Sequence, residues 1–204
     1  MNAGVRLVQS YLRLNGYFTV TELPVIRGAR GGGYEEITDL DMLGVRFPHA
    51  EYSVPRGRPG PLDDLRIGAD PVLVGDHAGV DVIIGEVKEG KARINDAMRK
   101  PDALETALRR VGCCTDSRVE EAVQALQRSG EYRLPTADGC PDVRVRLVAF
   151  GEGKTGERKG YTVVSLAHAA RFVEAHLDRY HDVLNPADLG DTALGILHLL
   201  RKLR

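Results

Sequence analysis

Val80-Asp81-Val82-Ile83-Ile84-Gly85-Glu86-Val87-Lys88-Glu89 is the strongest strand signal in the chain and decides the fold class. It is an apolar, β-branched run that ends on a carboxylate and an ammonium. Strand residues alternate faces, so Glu86 and Lys88 point the same way, behind Val82 and Ile84. Charges at the end of an apolar strand are costly to bury unless they are paired or bind a metal. Upstream, Ile37-Thr38-Asp39-Leu40-Asp41-Met42-Leu43-Gly44-Val45 reads as a second strand, with Asp39 and Asp41 on one face. If these two strands pair, an Asp from one and the Glu-Lys pair from the other converge. Two hard carboxylates with room for water and phosphate suit Mg²⁺.

The remaining elements frame this pair of strands. Residues 5–14 carry apolar side chains at helical spacing and end at Asn15-Gly16, a left-handed stop. Residues 17–26 read as a strand that Pro24 assigns to an edge or an end, and residues 28–33 form a glycine-rich loop. Residues 46–79, with prolines at 48, 55, 59, 61 and 71, read as a long excursion in which Asp70 to Val74 forms a short strand. Helices are expected over 93–111 and 117–129, the latter capped by Ser117 with Glu120 three positions on. Strands follow over 143–150 and 161–166, then helices over 167–184 and 189–203. The order predicts a single α/β domain over residues 1–204, a mixed sheet covered by helices, with an insertion at 46–79 and a C-terminal helical part at 167–204.

Composition sets limits on function. The chain has 204 residues, 43% of them hydrophobic and 28% charged, which suits a globular protein with its own core. No apolar stretch is long enough for a transmembrane helix and the N-terminus lacks a signal-peptide pattern, so a cytoplasmic location is expected. Lys plus Arg number 28 against 29 Asp plus Glu, for a net charge of -1. A protein that coats DNA nonspecifically is usually strongly basic, so any nucleic-acid contact here must come from a local patch. The cysteines Cys113, Cys114 and Cys140 have no metal-ligand spacing, and the six histidines no HExxH spacing.

Glu-x-Lys alone carries little information: it occurs at Glu86/Lys88, Glu89/Lys91, Glu152/Lys154 and Glu157/Lys159. Only the first lies inside a continuous apolar strand, and only the first has the Asp41 strand before it. Together the Asp41 strand and Ile84-Gly85-Glu86-Val87-Lys88 resemble the signature of the PD-(D/E)XK nuclease superfamily, the restriction-endonuclease-like fold. The order of elements over residues 1–170 is similar as well. The resemblance implies that Asp41 and Glu86 bind Mg²⁺ or Mn²⁺ with the carbonyl of Val87, and that Lys88 positions the attacking water. The implied activity is hydrolysis of DNA phosphodiester bonds. Many members carry an acid on the first helix; residues 3–15 hold none, which leaves Gln9 and, from the first strand, Glu22 as auxiliary candidates. Lys91, Arg56 and Arg58 are the candidate phosphate contacts.

Plainer readings stand beside these. Asp41, Glu86 and Lys88 also read, as the lesser alternative, as an inter-strand ion pair without function, since buried charge on neighbouring strands more often marks a site. A nuclease-fold protein that has lost catalysis and binds DNA or a protein partner is the rival function. A third reading is a homodimer through the C-terminal stripe Leu194, Ile196, Leu197, Leu199, Leu200 and Leu203. Gly151-Glu152-Gly153-Lys154-Thr155-Gly156 is not a phosphate-binding loop: that pattern requires glycine where Val148 stands, and a strand rather than a helix follows.

Overall fold

The centre of the protein is the strand β5, Val80–Lys91, whose residues from Asp81 to Val87 are all buried. The computed structural model describes residues 2–29, 31–50, 52–54, 65–135, 142–180 and 191–203. The elements before β5 are α1 (Ala3–Leu14), β1 (Phe18–Gly28), β2 (Tyr34–Arg46), β3 (Tyr52–Val54), β4 (Leu65–Ile67) and α2 (Pro71–Val74). Those after it are α3 (Pro101–Val111), α4 (Asp116–Ser129), β6 (Glu131–Leu134), β7 (Val143–Glu152), β8 (Gly156–Arg158), β9 (Tyr161–Ser165), α5 (Leu166–Arg179) and α6 (Thr192–Lys202).

Seven strands form one mixed sheet in the order β1-β2-β5-β7-β9-β8, with β6 paired to β7. The pairs β1–β2 and β2–β5 are antiparallel, whereas β5–β7 and β7–β9 are parallel. A separate two-stranded ribbon, β3–β4, sits in the long excursion. Alternation along the strands sorts the core into two layers. Val82, Ile84, Val145 and Leu147 pack under α3 and α4, and Ile83, Val87, Val148 and Phe150 pack under α1 and α5. Gly85 lets this happen at the crossing point: a Cβ there would stand 3.1 Å from Met42 Cβ and 3.2 Å from a Phe150 ring carbon. No described helix is long and apolar enough to cross a membrane.

Several local expectations are corrected. Residues 70–74 form no strand: Asp70 caps Val72 N–H at 2.9 Å and Pro71 opens the short helix α2, because Asp at the cap and Pro at the first position both favour a helix start. The helix expected from 93 begins at Pro101 instead. Ala92 and Ile94 are buried and Arg93 and Asn95 exposed, an alternation that keeps this stretch extended against the core. Helix α4 is capped at Thr115, two residues before Ser117, and without a side-chain cap bond. Strands β6 and β8 are additions that sequence patterning missed; at four and three residues they are defined by pairing, not periodicity. The Gly151–Gly156 segment, which reads as a hairpin loop in the sequence, is none: it links the end of β7 to β8, β7 and β9 run parallel, and the hairpin is β8–β9. Arg56 and Arg58 lie outside the described residues.

One buried ionic network ties the excursion to the sheet. Asp81 accepts from Arg144 Nε at 2.7 Å and Arg146 Nη2 at 2.7 Å, and the Tyr17 hydroxyl also donates to it. The same guanidinium groups donate to the carbonyls of Val74 at 3.1 Å and Leu73 at 2.6 Å, which fixes α2 against the sheet. Burial alone would push the Asp81 carboxyl up; the Arg146 charge and the hydrogen bonds from Arg146 and Arg144 outweigh it and hold the group below the usual carboxylate range. A depressed native pKa adds stability that is complete above the unfolded value of about 3.9 and is lost as pH falls below it. Chemical denaturation as a function of pH is therefore expected to show a stability loss setting in below about pH 4, and Asp81→Asn should lack that step. Asp81→Ala, which strands two buried guanidinium groups, should cost about 3–5 kcal/mol at neutral pH.

Candidate functional site

The site forms where two hydrogen-bond ladders stop. β2 pairs with β5 from Arg46↔Asp81 to Met42↔Gly85, and the next step would set Asp41 opposite Glu86. That rung is not made. The Asp41 side chain instead takes the Val87 N–H, with Oδ2 at 2.8 Å, so a carboxylate replaces a backbone acceptor and the buried donor stays paired. On the other flank, β1 pairs with β2 at Thr21↔Met42 and Leu23↔Leu40, skipping Glu22 and Asp41. Glu22 has φ +52, a left-handed conformation uncommon outside glycine, and it is one of two such residues among those described. The backbone on both sides of Asp41 has thus left the regular ladder, the kind of local departure that concentrates at functional sites.

Glu86 sits on the α3–α4 face of β5, with Ile84 and Val82. It is 3% exposed and ion-paired to Lys88 Nζ, while the Lys88 side chain is 37% exposed. Burial pushes the Glu86 carboxyl above its ordinary range. The Lys88 hydrogen bond opposes this, the Asp41 charge adds to it, and the charges of Lys88 and Arg93 pull weakly the other way. The net result is a carboxylate with too little positive charge around it. A divalent cation between Asp41 and Glu86 would supply that charge, so the donor set fits a hard cation. Among the described residues no group of three or more His, Cys, Asp and Glu side chains forms a closed metal cage. Mg²⁺ needs none, since it commonly takes one or two carboxylates and keeps water.

The structure therefore brings Asp41, Glu86, Val87 and Lys88 together and treats the other candidates differently. Glu22 is exposed and stands at the interruption beside Asp41. Gln9 lies on the α1 side, where its amide donates to Thr19 Oγ1 at 3.4 Å and its carbonyl accepts from Arg6 at 3.4 Å; these contacts hold it on the opposite layer from Glu86. Lys91 is exposed at the end of β5 opposite Glu152. Sequence reasoning missed Arg93, an exposed cation close enough to act on Glu86. The signal was present in the apolar-polar alternation of Ala92, Arg93 and Ile94, but reading the stretch as helix hid it. Comparison of the chain with protein-family models, curated proteins and solved structures returns no match.

Because Glu86 is raised, its ionised form costs folding energy. That cost is absent below the ordinary Glu pKa of about 4.3 and grows as pH rises through the native value. Glu86→Gln, which keeps the shape and removes the charge, should raise stability at pH 7.5 by about 1 kcal/mol and leave it unchanged near pH 4. Thermal melts at the two pH values check this, and equal stability of both proteins at pH 7.5 would contradict the charge imbalance.

Proposed function

We propose that the protein is a metal-dependent nuclease of the restriction-endonuclease-like fold that hydrolyses DNA phosphodiester bonds at Asp41, Glu86 and Lys88. The observation that carries this reading is the broken β2–β5 ladder, which leaves Asp41 and Glu86 side by side and undercompensated with Lys88 at the solvent edge. The strand order, three antiparallel strands followed through helices by two parallel ones, supports it. Asp41, Glu86 and the Val87 carbonyl are the proposed ligands for Mg²⁺ or Mn²⁺. When bound, such a cation supplies a water of lowered pKa and neutralises charge at phosphorus.

The remaining chemistry belongs to the chain's own groups. The Val87 N–H bond fixes the Asp41 carboxylate before any ligand arrives, so little reorganisation is needed at the moment of reaction. Glu86 anchors the Lys88 ammonium at the mouth of the site. From there Nζ can hold the attacking water by a hydrogen bond and offset negative charge developing on the phosphate. Arg93, exposed and within electrostatic reach of Glu86, is the proposed contact for a phosphate oxygen. The rival, a nuclease-fold protein without catalysis, is favoured by the closed Glu86–Lys88 ion pair, which already engages the lysine that catalysis would need. The outward side of α6, where Ile196, Leu199, Leu200 and Leu203 are exposed while Leu194 is buried, is the surface a homodimer would use.

Calorimetry with Mn²⁺ is expected to show binding that Asp41→Ala and Glu86→Ala abolish. Lys88→Ala should retain the metal and lose at least about 100-fold in cleavage rate on a panel of linear, nicked and single-stranded DNA. Metal binding equal to wild type in Asp41→Ala, or cleavage at wild-type rate by Lys88→Ala, would return these residues to a structural ion pair.

A further inference from the structure

The sheet face that carries Glu86 continues past the cover of α3, and what it exposes there is aromatic. α3 lies over the hairpin end of β1 and β2: Arg27 reaches Asp102 at 3.7 Å, and Leu23, Val25, Ile37 and Leu40 pack in that core. At the other end of the same strands Phe18 is 71% exposed, Val20 40% and Phe47 54%. Phe18 pairs with Val45 and Val20 with Leu43, and cross-strand partners share a face, so this track lies on the face that leads along β2 to Asp41. Phe47 is six residues from Asp41, about 20 Å at ~3.3 Å per residue.

The end of the track is a built groove. Phe18 and Phe47 meet edge to face with centroids 6.1 Å apart, and both rings remain more than half exposed. Arg13, Gly16, His49 and Ala50 help to line a cavity of about 700 Å³ beside them. Arg46 clamps both walls, donating to Asn15 O at 3.1 Å and to Ala50 O at 2.8 Å. Gly16, with φ +82, lets the two walls close, since a Cβ there would stand 3.2 Å from the Ala50 Cβ. The polar groups at the rim are accessible: Arg13 is exposed and its ion pair with Asp191 is long, 3.7 Å, and the His49 imidazole is exposed.

We infer that this groove holds an unpaired DNA strand, its bases stacked on Phe18 and Phe47 and its phosphates beside Arg13 and His49, as the strand runs toward Asp41 and Glu86. The inference rests on the nuclease reading for the strand's direction and stands on its own for binding. Exposed aromatic rings next to a guanidinium and a hydrogen-bonding imidazole are the recognition chemistry of single strands, since every base has a stacking face. A protein partner fits less well. Three apolar side chains fall far short of the roughly 800 Å² per partner that a stable interface buries, and Pro24 and left-handed Glu22 spoil β1 as an edge for another strand.

The test reads binding alone. Fluorescence anisotropy of a labelled oligothymidylate is measured with the whole chain in chelator, where no cleavage occurs. Phe18→Ala and Phe47→Ala should each weaken binding by about tenfold. Phe18→Tyr, which keeps the ring, should bind as wild type, and so should Tyr34→Ala, which removes an aromatic side chain outside the groove that is 86% exposed. Both phenylalanines are exposed, so truncating them leaves the core intact. Unchanged affinity in both alanine variants, a preference for duplex over single strand, or a dimer in sedimentation that these variants dissociate would overturn the inference. Weakened binding in a protein that never cleaves would leave the groove standing and remove the nuclease reading. Cleavage dependent on Asp41 and Lys88 with full binding by the phenylalanine variants would do the reverse.

Discussion

A carboxylate buried in a sheet must bring positive charge or hydrogen-bond donors with it, and β5 buries two carboxylates that meet this demand in opposite ways. Asp81, on the α1 face, receives two guanidinium groups and a phenol, and its pKa falls. Glu86, five positions on and on the α3–α4 face, receives one ammonium from a half-exposed lysine and has a second carboxylate for a neighbour, and its pKa rises. The first arrangement is complete without a ligand. The second is short of positive charge, and carboxylates perturbed in this way are concentrated at functional sites although structural ion pairs show them too.

This contrast also separates the two ends of the protein by task. At the Asp81 end, Arg144 and Arg146 fasten α2 and the Tyr17 turn to the sheet, so the long excursion returns at a fixed point. The nearby bracket of Asp70 with Tyr11 at 2.7 Å and His168 at 2.6 Å joins α1, α2 and α5 in the same way. At the Glu86 end, the ladders open rather than close. Glu22 leaves the β1–β2 register, β2 leaves β5 after Met42, and β5 loses register with β7 after Val87. Three interruptions around one pair of carboxylates give the side chains room that regular pairing would deny them.

The trio Asp41, Glu86 and Lys88 is legible in the sequence because strand periodicity is a local property. Two apolar runs with charges at matching phase need only pair for those charges to meet. The corrected elements failed for local reasons as well. Asp70-Pro71 is a helix start that a single apolar run around it disguised, and residues 92–95 carry helix-compatible composition that burial of Ala92 and Ile94 overrides.

By itself the sequence determined the α/β class, the central strand, the edge position of β1 and the identity of the carboxylates and lysine that share one end of the sheet, since these follow from apolar period, turn residues and proline placement. Which buried charges are satisfied depends on the folded packing. Arg144 and Arg146 find Asp81 across more than sixty residues of chain, and Phe18 and Phe47 become neighbours because β1 pairs with the end of β2 that leads into Phe47. Charge compensation and surface continuity are sums over neighbours in space, and neighbours that distant in sequence leave no periodic trace in it.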